Sequence, residues 1–294
     1  MVGPRCGPGA ADPACSNVMV WHAKLQLDYR RERTRTVARH QHEGPLRILQ
    51  SLYPEGDTVC HNVLVHPPGG LVGGDRLDLS IRAGEDTHGL ITTPGATRFY
   101  RSDGQLAIQT TRIAVSPRAR LEWLPMENIC HTGCYADNRL ELQLAPGGEF
   151  MGLDVTALGL PHAGQSFAKG RFLQHFEIPG VWLEHGGIDA SDHRLLQGPA
   201  GLSGRACLGT FFFVAGSPIG RERRDAALEL ARALILAHPL SPTAGASAAN
   251  DRVLVVRVLA PVVESAMELL RQIWRSWRAN LWHLTAQAPR IWAT

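Results

Sequence analysis

With 294 residues, 44% of them hydrophobic and 19% charged, the chain has the size and composition of a soluble globular protein of one large or two ordinary domains. A formal net charge of +3 is too small to argue for nucleic-acid binding. No apolar run reaches the roughly 18 residues of a membrane span, and six cysteines scattered over a long chain are not the disulfide framework of a small secreted domain.

Residues 1–19 contain Gly, Pro and Ala but no apolar core, which predicts a flexible tail rather than a secretory signal. From residue 20 to about 215 the chain is built of short runs bounded by Gly, Pro, Asn or Asp. These include 21–29, 77–81, 89–93, 107–115, 139–144, 172–178 and 210–214. Spacing near ten residues with turn signals between runs predicts a mainly β, layered body, and no clean internal repeat marks its period.

The densest signal lies between the first two of these runs, in His66-Pro67-Pro68-Gly69-Gly70-Leu71-Val72-Gly73-Gly74-Asp75-Arg76. Four glycines in six positions imply a tight backbone that approaches its neighbours closely. A phosphate loop is excluded, because Asp75 stands where Lys and Ser or Thr would follow the last glycine. A dinucleotide fingerprint is excluded too, because a strand follows instead of a helix. The segment is read as a turn between strands, carrying one acid.

Further along, Glu127 follows Trp123-Leu124-Pro125, and Asp154 sits between Leu153 and Val155. Acids in apolar surroundings need a partner; Arg76, Arg98, Arg101 or a line of water could each supply one. Asp75, Glu127 and Asp154 together, with Glu177 as a fourth, less central member, would make an acidic path suited to hard or borderline ions. Cys130-His131-x-x-Cys134 offers thiolate and imidazole ligands that suit nickel or zinc, although a loop with incidental thiols has the same sequence. His61 and His66 are weaker candidates of the same kind.

Two segments read as helices. Residues 221–237 are rich in Ala, Leu, Arg and Glu and end before Pro239. Residues 261–282 open on Pro and carry Val263, Met267, Leu270, Trp274, Trp277 and Leu281 as one stripe. A strand over 252–259 separates them. Trp274, Trp277 and Trp282 with Arg271, Arg275 and Arg278 suit a membrane surface, but Glu264, Glu268 and the single stripe argue for packing on the body or on a partner protein. No catalytic motif appears: there is no G-x-S-x-G, H-E-x-x-H, C-x-x-C or phosphate loop.

The stretches PPGGLVGGDRLDLSI (67–81), LITTPGATRFYRS (90–102) and LEWLPMENI (121–129), with the weaker LDVTALGLPHAGQSFAKG (153–170) and GLSGRACLGTFF (201–212), resemble in order the UreD (UreH) family of urease accessory proteins. The chain departs from that family's usual pattern at Met126, at 130–134, and at Leu160 and Gln165, where the family usually carries a charge pair. The resemblance implies a β-helix-like body over about 20–215 with a small C-terminal α/β cap, all within one domain spanning 20–294. It also implies a cytoplasmic, non-enzymatic urease maturation chaperone that assists nickel insertion into apo-urease with UreF and UreG. GTP would act only through UreG and no cofactor would be tightly bound. On the residues' own chemistry, Asp75, Glu127 and Asp154 would line a water-filled route along which nickel passes by exchange among weak carboxylate sites. Two rivals are a metal-independent scaffold bridging the accessory proteins and urease, and a metal-dependent hydrolase using Asp75 with His66.

Overall fold

Short β-prone runs cut by turn residues every ten positions cannot each bury an apolar face alone, and in this chain they stack into a solenoid. The computed structural model describes residues 21–293; the predicted tail at 1–19 lies outside the described residues. A hairpin of β1 (His22–Glu32) and β2 (Arg35–Glu43) opens the fold, followed by β3 (Arg47–Leu52). The first coil is β4 (Val59–Val65), β5 (Gly70–Leu71) and β6 (Arg76–Ala83). The second is β7 (His88–Thr92), β8 (Thr97–Phe99) and β9 (Ala107–Val115). The third is β10 (Arg120–Leu124), β11 (Asn128–Cys130) and β12 (Cys134–Leu144). In the fourth, β13 (Glu149–Leu158) covers two sides in one run before β14 (Gly170–Ile178).

Matching strands pair in parallel from coil to coil, so the body has two broad sides and one narrow side formed by β5, β8 and β11. Antiparallel strands close the broad sides: β3 on β4, β15 (Trp182–Asp189) on β14, and β16 (Cys207–Ala215) on β13. The fold is thus mainly β with a solenoid body, and every predicted run lies within a strand or overlaps one. A five-residue helix, α1 (His193–Gln197), was not legible in the sequence; the Asp192 carboxylate accepts from Leu195 N at 2.9 Å and caps it.

The four glycines of the 69–74 segment stack a corner of the first coil onto the second. Gly69 and Gly74 have φ of +75° and +94°. A Cβ on Gly70 would stand 2.6 Å from the Arg98 carbonyl oxygen, and one on Gly73 would stand 2.8 Å from Ser102 Cβ. Gly70→Ala is therefore expected to cost about 1–3 kcal/mol through overpacking. The check is a lower urea midpoint at unchanged m, and an unshifted midpoint would refute the close-packing account.

The C-terminal part covers one broad side. Helix α2 (Arg221–Leu236), β17 (Ala244–Ala248), β18 (Val253–Ala260) and α3 (Val263–Trp282) follow β16, with both long helices close to their predicted limits. One apolar cluster lies inside the solenoid and a second between its β13 side and the helices. Strand β13 has an apolar layer on both faces, which is why LDVTAL reads as a continuous buried run. The predicted stripe of α3 is buried from Met267 to Leu281, so the helix lies on the body rather than presenting its tryptophans to a membrane. Among the described residues no helix is long and apolar enough to cross a membrane.

Arg278 departs from its expected role as a surface cation on α3. It is fully buried, and its guanidinium reaches Glu55 at 2.8 and 3.1 Å and Glu122 at 3.1 Å. Glu122 also accepts from Trp274 Nε1 at 2.6 Å and lies 2.7 Å from His88 Nε2, while Glu55 lies 2.6 Å from His61 Nε2. Burial alone would raise both carboxyls, yet the histidine and arginine partners hold each below its usual value.

Candidate functional site

Inside the solenoid one acid stands apart from this salt-bridged network. Leu153 and Val155 on β13 pack in the cluster under the helices. Alternation then turns Asp154 inward, toward the opposite broad side. Its Oδ2 accepts from Asn128 Nδ2 at 3.1 Å and Asn138 Nδ2 at 3.2 Å. Its Oδ1 accepts from Gln174 Nε2 at 2.6 Å and Thr156 Oγ1 at 3.3 Å. These donors come from β11, β12, β14 and β13, so the coil stacking itself assembles the site.

No cation pairs with Asp154 among the described residues; the arginines the sequence offered as partners lie elsewhere, and neutral amides and a hydroxyl take their place. Burial outweighs those bonds and pushes the carboxyl up to about 6. A cavity of about 30 Å³ beside it is lined by Thr93, Thr97, Gln109 and Thr111 among others. A polar space that size holds one or two waters, since a single one needs roughly 10–15 Å³. A second cavity, of about 130 Å³, shares Leu64, Thr93, Thr97 and Gln109 with the first and extends to His66 and Gly69. The two form a line through the second coil in which these polar side chains alternate with apolar ones, Leu140, Phe176 and Phe212 in the first cavity and Leu46, Leu77 and Leu79 in the second.

The other predicted site residues are distributed around this line. Asp75 is buried at the glycine corner, where its carboxylate accepts from Trp21 N at 3.0 Å and Val72 N at 2.9 Å. It thus ties the turn together as a local Asp often does. Its charge reaches His66, whose imidazole burial holds below the usual value. Glu127 touches the line through its backbone, accepting from Thr97 N at 2.9 Å. Its side chain belongs to an outer groove of about 460 Å³ with Glu264, Glu268 and Arg271, and its Oε2 is buried without a hydrogen-bond partner. Glu177 stands on the outer face of β14, 3.0 Å from His175 Nε2.

The C-H-x-x-C loop does not gather its three side chains. Cys130 and Cys134 are buried in the solenoid core, and burial with the neighbouring thiol pushes Cys130 well above the usual thiol range. The His131 ring instead packs on Tyr100, with centroids 5.0 Å apart. Likewise His61 serves the Glu55 pair rather than Cys60. Among the described residues no three His, Cys, Asp or Glu side chains cluster as a metal site.

Sequence reading missed the amides. Asn138 lies between inward-facing Ala136 and Leu140, a polar residue at a core position, and that break in the alternation was the available signal.

The sequence matches known proteins over nearly its whole length. Residues 22–293 match the family described as UreD urease accessory protein. Among similar proteins, the urease accessory protein UreD of Variovorax paradoxus (strain S110) is 63% identical over 276 residues, covering 94% of this chain and 100% of the relative. The proteins of the same name from Verminephrobacter eiseniae (strain EF01-2) and Paracidovorax citrulli (strain AAC00-1) are each 62% identical over 275 residues, with the same coverage.

Proposed function

Because the chain belongs to the UreD urease accessory protein family, we propose that it serves urease maturation as a non-enzymatic chaperone assisting nickel insertion into apo-urease. The match over residues 22–293 carries this reading. In it the chain works in the cytoplasm in a complex with UreF and UreG, and UreG supplies the GTP chemistry.

The Asp154 carboxylate, its three amides and the cavities that adjoin them support a nickel route. Nickel is a borderline cation that accepts oxygen and nitrogen donors. One carboxylate with neutral amides makes a weak site, which suits an ion that must leave again. The amides of Asn128, Asn138 and Gln174 now turn N–H groups toward Asp154; rotation about their terminal torsions would present carbonyl oxygens to an entering cation. Asp75 lies at the His66 end of the line and Glu127 at the α3 groove, so the three acids act as stations along a path, not as one ligand set.

The test is co-expression of the full chain with its urease operon, reading urease activity and nickel per active site. Omitting the chain should abolish both. Asp154→Ala should lower nickel loading at least several-fold while the chain still co-purifies with UreF. Normal loading in that variant would favour the metal-independent scaffold, and unchanged activity without the chain would overturn the maturation role.

A further inference from the structure

The glycine corner continues into a surface that neither the internal route nor the helix packing uses. Val72, Leu106 and Tyr135 are each more than a third exposed, and the coil stacking brings them together. Gly74 N donates to Leu106 O at 3.0 Å, and the Ala136↔Ala107 register puts Tyr135 one strand from Leu106. The Tyr100–His131 ring pair lies on the same corner.

Cations flank this apolar row. Burial holds the His131 imidazole below its usual value, and the charge of the nearby Arg98 adds to that. The Arg101 stem packs against Gly133, and Gly133 N donates to Lys169 O at 2.7 Å. Arg98, Arg101 and Lys169 are exposed, and none pairs with a carboxylate among the described residues. Arg112 and Arg118 do pair, with Glu141 and Asp86, while the exposed Arg33, Arg76 and Arg205 pair with no carboxylate among the described residues; what sets this corner apart is that its unpaired cations cluster beside an apolar row. One exposed acid, Asp103, lies in the same loop.

We infer that this corner is a docking surface for an acidic segment of a partner protein, one whose apolar side chains seat on Val72, Leu106 and Tyr135. Tyr and Arg are the residue types that anchor protein interfaces, and unpaired cations beside them select and steer an acidic partner. An anionic membrane shares the charge preference. However, lipid-surface binding typically uses an amphipathic helix with a basic polar face, and this corner is strands and turns. No residue of this surface lines the cavities around Asp154, and because Val72 N donates to the Asp75 carboxylate at 2.9 Å the variants below change Arg98, Arg101 and Leu106 and leave Val72 in place.

The experiment measures binding of the full-length chain to purified UreF and, separately, to purified apo-urease, at 0.1 and 0.5 M NaCl. The wild-type chain should bind at least one of them, more weakly at high salt. Both R98E/R101E and L106S should weaken that binding at least tenfold while leaving the melting temperature unchanged. Wild-type affinity in both variants, or no binding of either protein, would overturn the proposal. So would variant-sensitive binding to phosphatidylserine vesicles without any effect on the proteins. Nickel content of urease is not read, so failure here is distinct from failure of the maturation role.

Discussion

Asp154→Asn is expected to stabilise the protein at neutral pH by about 1–3 kcal/mol. The folded carboxyl titrates at about 6, against roughly 3.9 in an unfolded chain, so the native state binds the proton more tightly than the unfolded one. A native state that holds more protons loses stability as pH rises through the interval between the two values. The ionised acid thus costs nothing below about pH 4 and its full amount above about pH 6, on the order of 3 kcal/mol for a two-unit shift. The difference between wild type and Asp154→Asn isolates this group from Glu55 and Glu122, whose lowered values give the opposite slope. Urea denaturation at pH 4.5, 6 and 7.5 should show the gap growing with pH. A constant gap would mean that Asp154 does not titrate in this range, and a destabilised variant at pH 7.5 would mean that its hydrogen bonds outweigh its desolvation. An acid kept in a site where an amide would be more stable fits a group retained for its charge.

Arg278→Met should have the opposite sign and a larger size, a loss of about 3–5 kcal/mol. The substitution leaves the fully buried Glu122 and the half-buried Glu55 without their cation, and breaking one partner of a buried ion pair costs that much. Arg278→Lys should recover only part of the loss, because an ammonium cannot match the two-pronged contact to Glu55 and reach Glu122 together. Removing the charges as a set, with Glu55→Gln and Glu122→Gln added, should recover more than Lys does. Thermal and urea unfolding of the three variants are the measurement. A loss below 1 kcal/mol in Arg278→Met would show that water or a mobile helix relieves the orphaned acids.

The contrast between these two acids shows what the sequence can and cannot reveal. Asp154 was legible as a buried acid because Leu153 and Val155 flank it on a strand. Its donors were not, because Asn128, Asn138 and Gln174 meet it only once the coils stack. Arg278 looked like Arg271 and Arg275, three cations on a tryptophan-bearing helix, since its acids lie 223 and 156 positions away. The strands themselves were readable from turn residues and alternation. Their winding was not, because an inward apolar face on every second residue is common to a sandwich and a solenoid. Coil starts at Val59, His88, Arg120 and Glu149 recur every 29 to 32 residues but share no motif, so a search for similar residues does not find the period.

The Glu55–Arg278 contact also has a temporal side. A ribosome adding about 5–20 residues per second takes roughly 11–45 s to travel the 223 positions between them. As they are made within that interval, the nascent coils present Leu90, Leu124 and Met151, together with Glu55 and Glu122 still lacking their arginine, on the side that α3 will later cover. The last long helix to be made is the one that seals this side, so each newly synthesised molecule passes through a stage when it needs shielding from its neighbours.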